Sequence, residues 1–228
     1  MSVSSRCLAA SLTLGASVAL AQGGPNMGTA TRTVDIIQAR ERNAALMKTY
    51  TWNERLELLK NGTVKDTRVE LVTYLPSGQL QKTLLSDQKA PPPSGFFRKR
   101  IAESEANDIK TYLEGLRKLL DQYTLPTGGA VFNFLSGAQL SPPGPEGYVT
   151  VAGTGVVVPG DSLTIWISAA TKQTVRVSVN TIFQSNNVQL TATFRTLPSG
   201  LTYMNYATVD VPAQQLELLV QNFDYVQN

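Results

Sequence analysis

The residue types that most often carry chemistry are sparse in this chain. Its 228 residues include no His and one Cys, Cys7. Without His there is no Ser-His-Asp or Cys-His unit, no His-ligated zinc and no His-held haem. Carboxylates do occur in groups: Glu54 with Glu57, and Glu103 with Glu105 and Asp108. Acid–base catalysis needs two carboxyls converging on one pocket with pKa values pushed apart. Glu54 and Glu57 are three apart in a strand pattern, so they point to opposite faces. Glu103, Glu105 and Asp108 read as a helix start, where negative charge complements the helix dipole. Both groups are therefore structural. Gly153-Thr154-Gly155 is too short to cradle a phosphate and leads into a strand. Asp161 lacks partners at calcium-ligand spacing and reads as a turn residue. Asn61-Gly62-Thr63 matches a glycosylation acceptor, but Asn-Gly is also the strongest hairpin signal and needs no glycan to explain it. No catalytic residue, cofactor or metal is expected.

The N-terminus reads as an address. Met1 to Arg6 carries one positive charge, and Cys7 to Ala21 is an uncharged stretch ending in Ala19-Leu20-Ala21, a small-x-small cleavage pattern. These residues predict a leader over 1–21 and a mature domain over 22–228, exported to the periplasm or outside the cell. The stretch falls short of the ~20 residues that span a bilayer, and no second apolar segment follows. Cys7 follows Arg6 rather than a lipobox, so it is not a lipid attachment site. The mature chain is then expected to lack Cys as well as His, and with them disulfides, thiolate metal sites and thiol nucleophiles. The net charge of +3 is too small and too dispersed for nucleic acid.

Most of the charge lies before Thr127; the remainder is rich in Val, Thr, Leu and aromatic residues, as strands are. A first helix is expected from Thr33 as cap, with Asp35 in its first turn and Val34, Ile37, Ala44 and Met47 on one face. The period then becomes two. Tyr50, Trp52, Leu56 and Leu58 share one face against Arg55 and Glu57. Asn61-Gly62 turns the chain into a strand from Val64 to Tyr74, and Pro76-Ser77-Gly78 into another from Leu80 to Leu85. Ala90 to Gly95 reads as a stiff proline loop. Phe96-Phe97-Arg98-Lys99-Arg100 reads as a solvated approach to the clearest helix, Ser104 to Tyr123. There Ile109, Tyr112, Leu113, Leu116, Leu119, Leu120 and Tyr123 form an apolar stripe. A short apolar helix follows through Val131, Phe132, Phe134 and Leu135.

Beyond a loop from Ser141 to Gly147, a meander is expected. Its strands are Tyr148 to Val151, Gly155 to Val158, Leu163 to Ser168, Thr174 to Phe183, Val188 to Leu197, Leu201 to Val211 and Leu216 to Val226. Val175, Val177, Val179 and Thr181 share one face of their strand. Trp52 and Trp166 read as core or wall residues. Turns fall at Pro159-Gly160-Asp161, Ser185-Asn186-Asn187 and Pro198-Ser199-Gly200.

This order of elements predicts an α+β fold: one large, curved antiparallel sheet, an unclosed β-barrel, with helices covering its concave face. Such a shell suits an apolar ligand. The expected wall is Trp52, Leu56, Leu58, Val69, Leu71, Ile165, Ile167, Val177, Val179 and Phe194, and the expected lid carries Leu113, Leu116 and Leu120. Element order behind a leader resembles the bacterial LolA/LolB-like lipoprotein carriers. Tyr50-Thr51-Trp52-Asn53-Glu54-Arg55, Gly160-Asp161-Ser162-Leu163 and Leu197-Pro198-Ser199-Gly200 also look similar to a group of exported bacterial proteins. The resemblance implies a non-enzymatic binding or carrier protein of the cell envelope that holds a lipid or a lipoprotein acyl chain. The alternative is an interaction domain with a filled core and no ligand.

Overall fold

The structure, a computed structural model, describes residues 28–91, 96–124, 128–171 and 173–228. The predicted leader, and Pro92 to Gly95 of the proline loop, lie outside the described residues. Helix α1 (Gly28–Met47) leads into strands β1 (Tyr50–Lys60), β2 (Thr63–Tyr74) and β3 (Leu80–Lys89). Helix α2 (Phe96–Leu120) runs into a 3-10 turn at Asp121–Thr124, and α3 (Gly128–Gly137) follows. The remaining strands are β4 (Gln139–Leu140), β5 (Tyr148–Thr154), β6 (Ser162–Ser168), β7 (Thr174–Phe183), β8 (Asn186–Thr196), β9 (Thr202–Val211) and β10 (Leu216–Gln227).

All ten strands form one antiparallel sheet in the order β3-β2-β1-β10-β9-β8-β7-β6-β5-β4, so the fold is α+β and the sheet is unclosed. Consecutive strands are neighbours except β3 and β4, which form the two edges; the two runs are joined by β1 pairing with β10, from Tyr50 opposite Gln227 to Lys60 opposite Leu216. The alternation read from the sequence decides the buried face. Leu163, Ile165 and Ile167 of β6 and Val188, Leu190, Ala192 and Phe194 of β8 all point inward. They pack with Leu113, Leu116 and Leu120 of α2, Tyr123, and Val131 and Phe134 of α3. Gly115 permits the approach of α2, since a Cβ there would sit 2.7 Å from Cζ of Phe183.

Local signals decide the turns. Asn61 (φ 54°) and Gly62 (φ 68°) adopt the left-handed conformation that a tight hairpin demands. The β7–β8 turn uses Gln184 and Ser185, one residue earlier than expected, both with positive φ.

Some expected boundaries move. Helix α1 begins at Gly28, so Thr33 lies inside it rather than capping it; no residue between 28 and 33 breaks a helix. For the same reason α2 begins at Phe96, directly after the proline loop. Glu103, Glu105 and Asp108 consequently lie beyond its first turn and do not serve the helix start. Strand β3 extends past Leu85 to Lys89. A register shift in β7 puts Thr174, not Val175, on the buried face.

The expected strand Gly155 to Val158 is a loop, and Asp161 is the reason. Its carboxylate accepts the N–H groups of Val156 (2.6 Å), Val157 (2.8 Å) and Val158 (2.8 Å). A side chain that claims three successive N–H groups removes them from any strand ladder. The Tyr123 hydroxyl donates to the same carboxylate at 2.6 Å and lies 2.7 Å from Thr181 Oγ1. The end of α2 is thereby pinned to the β5–β6 loop and to β7. Burial alone would raise the Asp161 carboxyl, but hydrogen bonds from Tyr123 and the three valine N–H groups hold it below the usual carboxylate range.

Asp161→Ala is expected to lower stability by about 3 kcal/mol in urea titration at pH 7, because four donors lose their acceptor. The Asp161 contribution is complete above about pH 4, the unfolded value, and is lost as pH falls through the lower folded value. Wild type and variant are therefore expected to converge in acid.

Candidate functional site

The structure brings most of the expected wall and lid together. Leu56, Ile165, Ile167, Val177, Val179 and Phe194 share one buried cluster with Leu113, Leu116 and Leu120, and Leu58 packs at its margin. Leu116 and Val177 are fully enclosed. Trp52 belongs instead to a second cluster with Met47, Tyr50, Val72 and Leu201. There Trp52 stacks on Tyr225, with ring centroids 5.5 Å apart and planes 7° from parallel, and Tyr225 meets Tyr203 at 4.1 Å. Helix α1 covers this end; its Asn43 side chain donates to the Thr202 carbonyl and accepts from the Thr202 N–H.

Val69 and Leu71 are not on this wall. Directly paired residues of an antiparallel sheet share a face. Leu56 pairs with Arg68 and Trp52 with Val72, whereas Val69 pairs with Arg55 and Leu71 with Asn53, on the opposite face. The cause is a one-residue bulge. Leu59 pairs with Val64, but Leu58 pairs with Asp66, leaving Lys65 over. One extra residue turns every later side chain of β2 to the other face. Trp166 is likewise on the outer face, where the Arg176 guanidinium sits 3.9 Å from its ring centroid.

The bulge brings charge inward in place of Val69 and Leu71. The covered face of β2 carries Asp66, Arg68 and Glu70, next to Lys82, Asp87 and Lys89 of β3. Lys82 Nζ lies 2.6 Å from Glu54 Oε1 and 3.7 Å from Glu70 Oε2. Arg68 lies 2.7 Å from Asp66 and 3.7 Å from Asp87. Glu54 is the deepest of these groups, 5% exposed, set between Trp52 and Leu56 on β1. Burial pushes its carboxyl up, and Glu70 adds to the rise; Lys82 and, from α2, Arg117 offset part of it. Across the β1–β10 pair, Glu54 faces Asn222, which is 8% exposed. The Asn222 amide nitrogen donates to the Met204 carbonyl at 2.9 Å, and its Oδ1 is buried without a hydrogen-bond partner.

Sequence reasoning read Glu54 only against Glu57. The signal that places it was present: in the stripe Tyr50, Trp52, Glu54, Leu56, Leu58, period two puts an acid at the centre of an apolar face. The β2 charges carried no such signal, because their face depends on the bulge.

The arrangement offers apolar surface, aromatic edges and a half-neutralised acidic cluster. Glu54 and Glu57 do point to opposite faces, with Glu57 paired to Arg55 outside. Among the described residues no group of three or more His, Cys, Asp or Glu is placed to hold a metal. No helix among them is long and apolar enough to cross a membrane.

The chain is similar in structure to a DUF1329 family protein from Desulfovibrio piger, at 10% identity and TM-score 0.41, over 90% of this chain and 94% of that one. It is also similar to a LolA superfamily protein from Nitrosomonas europaea, at 9% identity and TM-score 0.32, over 82% of this chain and 91% of that one. No family model and no curated protein matches the sequence.

Lys82→Met is expected to destabilise the protein by about 2 kcal/mol at pH 7, since it leaves Glu54 buried beside Glu70 with less compensation. The folded Glu54 pKa is raised, so the penalty for its charge is full above that value, shrinks as pH falls through it and is gone below the unfolded value of about 4.3. Urea titrations at pH 7 and pH 5 are expected to show the loss shrinking in acid, and Glu54→Gln added to Lys82→Met is expected to restore most of the stability.

Proposed function

We propose that this protein is an exported, non-enzymatic carrier of the cell envelope, a single domain over residues 22–228. Its sheet and helices α2 and α3 would enclose an apolar ligand such as a lipid or lipoprotein acyl chain. The observation that carries this reading is the way α2 is attached. Along the helix, Leu113, Leu116 and Leu120 meet the sheet through apolar packing, and Tyr112 meets Phe183 edge-on at 5.1 Å. At its end, Tyr123 is pinned by hydrogen bonds to Asp161 and Thr181. Apolar packing is non-directional, so an acyl chain can replace it surface for surface, whereas the polar pin holds its geometry. In this reading α2 swings on the Tyr123 end and yields its place to the ligand. The described arrangement is then the closed one.

The full enclosure of Leu116, Leu163 and Val177 favours the second reading, an interaction domain with a permanent core. Titration with N-phenyl-1-naphthylamine, an uncharged apolar probe, together with native mass spectrometry, separates the two. The carrier reading expects saturable binding of one probe per chain with blue-shifted emission. It also expects Gly115→Leu, which wedges α2 off Phe183, to speed uptake several-fold. A folded protein that neither binds the probe nor carries extra mass would leave only the interaction domain.

A further inference from the structure

The proposed carrier role leaves one group on the covered face unexplained. An apolar wall has no use for Glu54, Glu70 and Lys82, set between the aliphatic and aromatic clusters. Two carboxylates there face one ammonium, a local charge of −1. Arg117 of α2, itself 3.7 Å from Asp121, adds only a weak favourable charge to Glu54. If α2 moves, that charge moves with it. Beside Glu54, Asn222 Oδ1 is an acceptor with nothing to accept, in a residue more than nine-tenths buried. Its amide cannot turn over to help, because the nitrogen is committed to the Met204 carbonyl. A carboxylate and a neighbouring amide oxygen together need a donor that carries several hydrogens and a positive charge, which describes a primary ammonium.

We infer that Glu54, Glu70 and Asn222 form a headgroup site for an amphiphile with a primary amine, its acyl chain lying along Leu56 and the aliphatic wall. The inference rests on the carrier reading and names its ligand class. The ammonium supplies the second positive charge that the two carboxylates lack beside Lys82. Lys82 remains with Glu54 and keeps the site from carrying two uncompensated buried carboxylates. A fatty acid, by contrast, would bring a third carboxylate to the cluster.

The test is competition against bound N-phenyl-1-naphthylamine, an uncharged apolar probe, at low salt and pH 7, using dodecylamine, dodecanol and dodecanoate below their micellar concentrations. Dodecylamine is expected to displace the probe at roughly one-tenth the concentration dodecanoate needs, a single charge contact's worth, with dodecanol between them. Glu70→Gln, which leaves the Glu54–Lys82 pair intact, is expected to remove most of that gap. Asn222→Leu is expected to weaken dodecylamine while the protein stays folded. Glu57→Gln, on the opposite face, is expected to change nothing. Equal displacement by all three competitors, or an amine preference that survives Glu70→Gln unchanged, overturns this inference alone. Failure of the probe to bind at all overturns the carrier reading, and this inference with it.

Discussion

The pairing of β1 with β10 is the constraint on which the rest of the molecule depends. It joins residues near 50 to residues near 227, and it makes one sheet from a charged three-stranded meander and an apolar seven-stranded one. Without it, β1 would be an edge, and Leu56 and Leu58 would lose their partners Val220 and Leu218. The same pairing carries a second irregularity: Thr51 faces Val226 but Asn53 faces Phe223, and Asp224 adopts a positive φ of 54°. A bulge re-aims side chains. Here it brings Tyr225 onto Trp52 and closes the aromatic cluster under α1. Burial, with help from Tyr203, Glu54 and Tyr74, pushes the Tyr225 hydroxyl far above its ordinary range.

Two kinds of force hold the helices to this sheet, and they differ in how they fail. Each leucine of α2 buried on the sheet contributes on the order of 2 kcal/mol. That contribution tolerates any apolar substitute, including another molecule. The Tyr123–Asp161 contact tolerates none, because it depends on distance and angle. Helix α1 is also held by directional bonds, through Asn43 to Thr202 and Arg40 to the Thr124 carbonyl. The helical layer is thus pinned at defined points and otherwise held by apolar surface.

Strand alternation was highly legible in the sequence, because a half-buried strand writes its orientation into every second residue. Nine of ten strands lie close to their expected positions; the exception, Gly155 to Val158, has the right composition but loses its N–H groups to Asp161. The short β4 was not expected, and two residues leave no periodic trace. The covered face was legible for β1 and for the aliphatic strands. It was misread in β2 because one unpaired residue, Lys65, inverts the face without changing the alternation. Glu54 was legible by period alone, but its importance was not, since its partners Lys82, Glu70 and Asn222 come from three other strands.

The sequence by itself determined where helices and strands form and which side of most strands is apolar, because those properties depend on neighbours a few residues apart. It also excluded whole classes of chemistry through the absence of His. The tertiary structure alone decided that β1 meets β10, that the β2 hairpin bulges, and that Lys82 of β3 meets Glu54. The physical reason is range. Periodicity and turn preference are local, whereas a register, and the pairing of an acid with an orphaned amide about 170 residues away, exist only once the sheet has closed its long-range contacts.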